Sequence, residues 1–144
     1  MRSGVLLDTG PLVAYLRERD AYHDWAVETF QDLAAPAITC EPVLTETCFL
    51  CARDGLPPHR VIEYVSRNRI VIGLQLELEL PALHALLERY ANVPMSLADA
   101  CLVRLAEMTG LPICTLDSDF AIYRANGRRA LQLIAPTPRQ LHEP

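Results

Sequence analysis

The sequence contains no lysine: its 13 basic residues are all arginine. That absence argues against two enzyme classes that also place an aspartate after a first strand, the haloacid-dehalogenase-like phosphatases and the phosphate-receiver domains. Both use a lysine near the phosphoryl group, and at Asp8 the chain reads Asp-Thr-Gly rather than the dehalogenase-like Asp-x-Asp. Cysteines are few and odd in number (Cys40, Cys48, Cys51, Cys101 and Cys114) and lie mostly in apolar segments, so no disulfide framework is expected. Cys48 and Cys51 have Cys-x-x-Cys spacing, but "TETCFLCARDG" reads as mid-helix and no second pair follows. That leaves them as small core residues rather than zinc ligands. No apolar run approaches the roughly 18 residues needed to cross a bilayer. A signal peptide is not expected either, because Asp8 interrupts the first apolar stretch almost at once, so the expected location is the cytoplasm. The net charge of −5 argues against a protein that coats polyanions indiscriminately.

What is present describes one soluble globular domain spanning 1–144. Hydrophobic residues are 51% of the chain and charged residues 22%, and the length is enough to bury a core. Residues 4–7 read as a buried strand and 11–18 as a helix with proline in its first turn. Apolar spacing predicts a helix over 21–34, a strand at "PAITC", and a helix from Glu41-Pro42 to Asp54 ended by Gly55. Pro57-Pro58 opens a helix to Asn68, and "RIVIG" is a third strand. Helices follow at 77–91 and 96–109, the second ended by Gly110. "LPICTL" is a fourth strand, 118–125 a short helix, "ALQLI" a fifth strand, and 136–144 a loose tail. Short apolar strands alternating with helices predict an α/β fold, a central parallel sheet of about five strands with helices on both faces.

Most acidic residues sit where solvated charges belong, but five do not. Asp8 ends the first strand, where it could form an Asx-turn or cap the next helix. Glu46 shares a helical stripe with Val43 and Leu50, and a carboxylate buried there would need an arginine or a metal. Asp99 shares its face with Leu102, Val103 and Ala106, while Ser96-x-x-Asp99 also fits a capping box. Asp117 and Asp119 follow the fourth strand, and either could cap the helix beginning near Ser118. Taken singly, each has a structural explanation. Taken together, Asp8 and Asp117 lie beyond the carboxyl ends of parallel strands, where open α/β sheets bind ligands. Glu46 and Asp99 can face the same edge. Carboxylates converging there repel one another, and a hard divalent cation such as Mg²⁺ or Mn²⁺ relieves that repulsion.

The order "LLDTGPL", "VLTETCFL", "SLADACLV", "TLDSDF" resembles the PIN-domain ribonucleases, most closely the VapC-type toxins of toxin–antitoxin pairs. The resemblance covers essentially the whole chain and implies a PIN-like fold that cleaves RNA with Mg²⁺ or Mn²⁺. By position it implies that Asp8, Glu46, Asp99 and Asp117 are the acidic quartet, with Asp119 as an additional acid. Thr9, Ser96 and Thr115 match the small hydroxyl residues that accompany such acids. It also implies a homodimer held inactive by a small VapB-like antitoxin. For the RNA itself, the chain offers Arg124, Arg128, Arg129 and Arg139 after Asp119, and a second set in Arg53, Arg60, Arg67 and Arg69. Two alternatives stay open at this point: a catalytically inactive PIN-fold interaction module, and a housekeeping RNA-processing nuclease.

Overall fold

A computed structural model describes residues 4–33 and 36–141. The first strand, β1 (Val5–Leu7), is buried along its whole length, as the central strand of a sheet covered on both faces requires. It pairs in parallel with β2 (Ala37–Thr39) on one side and β4 (Ile113–Cys114) on the other. Outside these lie β3 (Val71–Ile72), against β2, and a last parallel strand at Leu133–Ile134, against β4. The five-stranded parallel sheet is the one expected. Its order steps outward from β1 through β2 to β3, then returns to the other side of β1. The order of winding therefore reverses between β1 and β4, and the carboxyl ends of those two parallel strands are where open sheets of this kind form a ligand crevice.

Helices fill the connections. After β1 come α1 (Thr9–Leu16) and α2 (His23–Asp32), then, beyond β2, α3 (Glu41–Arg53) and α4 (Pro58–Arg67). These pack serially, α1 on α2 and α3, and α3 on α4. Between β3 and β4 lie α5 (Leu76–Arg89) and α6 (Leu97–Thr109), which pack on each other. Helix α6 also touches β1 and α3, so it brings its first turn to the crevice. No helix among the described residues is long and apolar enough to cross a membrane.

The helix ends follow local chemistry. Proline stands in the first turn of α1, α3 and α4, where its missing N–H costs nothing. Ser96 and Asp99 form a reciprocal capping box on α6, and Gly110 ends that helix at φ 72°, a conformation glycine adopts without strain. The expected helix 21–34 is shorter, at His23–Asp32, and residues 34 and 35 lie outside the described residues.

The chain after β4 differs from expectation. The helix expected at 118–125 is only a 3-10 turn at Ser118–Ala121. It gives way to an antiparallel hairpin, β5 (Arg124–Ala125) with β6 (Arg129–Ala130). The cause is Asn126-Gly127: both take positive φ, 52° and 72°, as the two centres of a type I′ turn must. A helix cannot continue through such a pair. Ala130 thus belongs to the hairpin, and the fifth parallel strand, β7, is only Leu133–Ile134. Part of the expected loose tail is a helical turn, α7 (Pro138–Leu141), over which Thr137 and Gln140 exchange side-chain hydrogen bonds to backbone N–H groups. Residues 142–144 lie outside the described residues.

Candidate active site

Asp8 sits one residue beyond β1 and is 7% exposed. Its backbone N–H continues the ladder to the Cys114 carbonyl (3.0 Å), which fixes where the side chain leaves the sheet. Oδ1 caps α1 by accepting from the Thr9 N–H (2.7 Å). Oδ2 accepts from the hydroxyl of Thr115 (2.7 Å), the residue after β4. The Thr115 oxygen in turn accepts from the Asp117 N–H (2.9 Å), so a single hydroxyl couples the ends of β1 and β4. Asp117 Oδ1 accepts the Asp119 N–H (2.9 Å) and caps the 3-10 turn.

Two helices supply the remaining acids. In α3, the Glu46 Oε2 accepts from the Thr9 hydroxyl (3.2 Å). Glu46 is exposed, not buried on an apolar stripe as its spacing suggested, because α3 turns Val43 and Thr47 into the core instead. It therefore needs neither arginine nor metal for its own solvation. In α6, Asp99 is 8% exposed. Its Oδ2 accepts from the Ser96 N–H (3.1 Å), and its own N–H donates to the Ser96 hydroxyl (3.0 Å). The capping reading of Asp99 is thus correct, and it occupies only one carboxylate oxygen.

The electrostatics show these acids acting on one another. Burial pushes Asp8 from its ordinary 3.8 up to about 6; Thr115 and Thr9 oppose the rise by donating to its ionised form, and the charges of Asp99 and Glu46 add to it. Asp99 is also held above its usual range, by burial first, with the charge of Asp117 contributing. Asp8, Glu46, Asp99 and Asp117 thus lie within electrostatic reach of their neighbours around the crevice. Beneath them, burial and the charge of Asp8 push the Cys114 thiol up to about 12, so it remains a neutral thiol. The donors facing the crevice are consequently oxygens.

Among the described residues, no three His, Cys, Asp or Glu side chains form a ready-made metal cage. Asp8 and Asp99 nevertheless offer oxygen donors, the ligand type that Mg²⁺ and Mn²⁺ take. Oxygen donors and buried acids that raise one another's pKa fit a divalent ion there.

The arginines do not gather at this edge. Arg53 lies seven residues beyond Glu46 on α3, about 10 Å along the axis, with its guanidinium 5.9 Å from the Phe49 ring. The Arg124 guanidinium folds back onto the carbonyls of Ala121, Ile122 and Tyr123. Arg128 and Arg129 are exposed on the hairpin, and Arg129 lines a cavity with Gly110 and Leu111, which precede β4. That is the opposite end of the strand from Thr115. Arg67 pairs with Glu63 on α4 (2.8 Å), Arg60 and Arg69 are exposed, and the Arg139 side chain lies outside the described residues.

One residue of the site escaped the sequence reading. Tyr123, fully buried, donates its hydroxyl to Asp99 Oδ2 (3.3 Å). It falls within the helix expected at 118–125, whereas the 3-10 turn ends at Ala121 and β5 begins at Arg124, and no periodicity relates it to a residue on α6.

With the geometry in view, the family follows. The PIN domain family model matches residues 5–126, a span that contains every acid described above, and the chain belongs to the PIN-domain family. Among solved structures, a crystal structure of the Mycobacterium tuberculosis protein VapC20, titled a sarcin-ricin loop cleaving toxin, matches with a TM-score of 0.69 at 24% sequence identity. The match covers 82% of this chain and 93% of that one, and establishes the shared fold. A search of curated proteins found no match.

Proposed function

We propose that this chain is a divalent-metal-dependent endoribonuclease, hydrolysing RNA phosphodiester bonds as the toxin of a type II toxin–antitoxin pair. What supports the reading is that, in a PIN-domain chain, the buried Asp8 feels the charges of Asp99 and Glu46, and Asp99 feels that of Asp117, although the four come from separate segments. VapC20, of the same fold, is titled a sarcin-ricin loop cleaving toxin and supports the choice of substrate class.

Asp8 and Asp99 are the residues that would hold the metal, with Asp117 and Glu46 completing its surroundings. Mg²⁺ or Mn²⁺, if held there, would supply an acidified water and charge neutralisation at the scissile phosphate. Thr115 keeps Asp8 oriented, and through the Asp117 N–H it ties that orientation to the loop after β4. Among the described residues Glu46 accepts the Thr9 hydroxyl, on Oε2, so Oε1 would be available to orient the attacking water and take its proton. Asp119, within the 3-10 turn, would add a further acid near Asp117.

Purified protein should cleave single-stranded RNA with Mg²⁺ or Mn²⁺, stop on chelation, and recover when the metal is restored. Cleavage indifferent to chelator would overturn the metal-dependent reading. A metal-replete protein that never cleaves RNA would favour the inactive interaction module.

The partner is proposed on the same footing: a small antitoxin whose arginine pairs with the acids and whose apolar segment lies along α1 and α3. A groove of about 300 Å³ beside α1, lined by Tyr15, Leu16, Leu56, Arg60, Tyr64 and Arg67, suits such a segment. Co-expression with the product of the neighbouring upstream reading frame should give a complex containing a homodimer of this chain and lacking nuclease activity. Failure to bind or inhibit would leave a housekeeping nuclease.

A further inference from the structure

We infer that Tyr123 is a positioning residue for the metal site, holding the Asp99 carboxylate so that one oxygen is fixed and the other is free for a cation. The inference rests on the metal-dependent reading above and concerns a residue that reading does not use.

Tyr123 is 0% exposed and sits edge-on to Tyr90, with centroids 5.1 Å apart, and to Phe120 at 5.3 Å. That aromatic packing requires a six-membered ring and no hydroxyl, so phenylalanine would satisfy it. A buried hydroxyl costs free energy unless it is paired, and this one's hydrogen-bond acceptor is Asp99 Oδ2. Its presence is explained by what it does to Asp99.

At Asp99 the Oδ2 atom receives two donors, the Ser96 N–H and the Tyr123 hydroxyl. They approach from different elements, the start of α6 and the segment before β5. Two donors on one oxygen fix the plane of the carboxylate as well as its position. Oδ1 accepts no hydrogen bond from the described residues. No buried side-chain oxygen or nitrogen among them lacks a partner, so Oδ1 is open to solvent. The arrangement resembles the outer partners of metal-ligating carboxylates, whose removal weakens metal binding about 10- to 100-fold.

The neighbouring tyrosine provides the control. Tyr90 belongs to the same aromatic cluster, but its hydroxyl accepts the Arg124 N–H (2.9 Å) and makes no bond to the acids. Mn²⁺ titration of the intact protein, followed by calorimetry, would compare the parent, Tyr123→Phe, Tyr90→Phe and Asp99→Asn. The expected result is a Kd raised about 10-fold or more in Tyr123→Phe, a Kd unchanged in Tyr90→Phe, and binding lost or weaker still in Asp99→Asn. Cleavage by Tyr123→Phe should then return toward the parent rate as Mn²⁺ is raised. Equal affinities in the parent and Tyr123→Phe, with binding lost in Asp99→Asn, would overturn the inference and leave the metal site standing. Equal weakening by both tyrosine variants would reduce Tyr123 to packing. A parent that binds no Mn²⁺ would overturn the inference and the metal reading together.

Discussion

Asp8→Asn should lose RNA cleavage by at least about 100-fold while keeping the parent fold, because disturbing even the outer partners of a metal ligand costs roughly 10- to 100-fold. Asparagine retains a carbonyl oxygen to accept the Thr9 N–H, so the cap on α1 survives. Its amide nitrogen then faces the Thr115 oxygen and donates to it, reversing the direction of that bond. What disappears is the negative charge at the crevice, which is the property a cation requires. The measurement is cleavage of a labelled RNA under saturating Mn²⁺, beside circular dichroism of both proteins. Cleavage within a few-fold of the parent would remove Asp8 from the chemistry.

The same substitution should stabilise the metal-free protein, and by an amount that depends on pH. Asp8 titrates near 6 when folded and at its ordinary 3.8 when unfolded, so between those values the folded state binds more protons. Stability contributed by this group is present below pH 4 and is lost as pH rises through 6. The rise from 3.8 to about 6 is worth at most about 3 kcal/mol. Asp99, also raised, works in the same direction. Metal-free Asp8→Asn should therefore match the parent near pH 4 and exceed it increasingly up to pH 7. Its melting temperature at pH 7 should be higher by up to roughly 6–10 °C for a domain of this size. Taking the difference cancels carboxylates such as Glu79 and Asp54, whose pairing with Arg104 and Arg17 is common to both proteins. Added Mn²⁺ should reverse the order at pH 7, because it stabilises only the protein able to bind it. A difference that is flat with pH, or a parent that remains the more stable without metal, would contradict the strain assigned to Asp8.

The fold was largely legible because its signals are local and consistent. Buried β1 is continuously apolar, proline marks three helix starts, and Gly110 marks a helix end. The hairpin was missed although Asn126-Gly127 announces it; its flanking strands are two residues each, too short to show alternation. At the site, Asp8 and Asp117 could be placed because a strand end fixes both position and direction. Glu46 was placed in the right helix with the wrong burial, since spacing says which residues share a face but not which face the core takes. Tyr123 and the arginines depended on tertiary contacts between α6, the 3-10 turn and the hairpin. No short-range pattern encodes those contacts.

The most direct test of the central claim reads metal occupancy and cleavage in the same samples. Metal-free protein would be titrated with Mn²⁺, with bound ion followed by electron paramagnetic resonance and RNA cleavage measured at each addition. The account predicts a cleavage rate that is zero without metal and rises in step with Mn²⁺ occupancy, both lost in Asp8→Asn. Full cleavage before any Mn²⁺ is bound, or Mn²⁺ bound equally by Asp8→Asn, would contradict it.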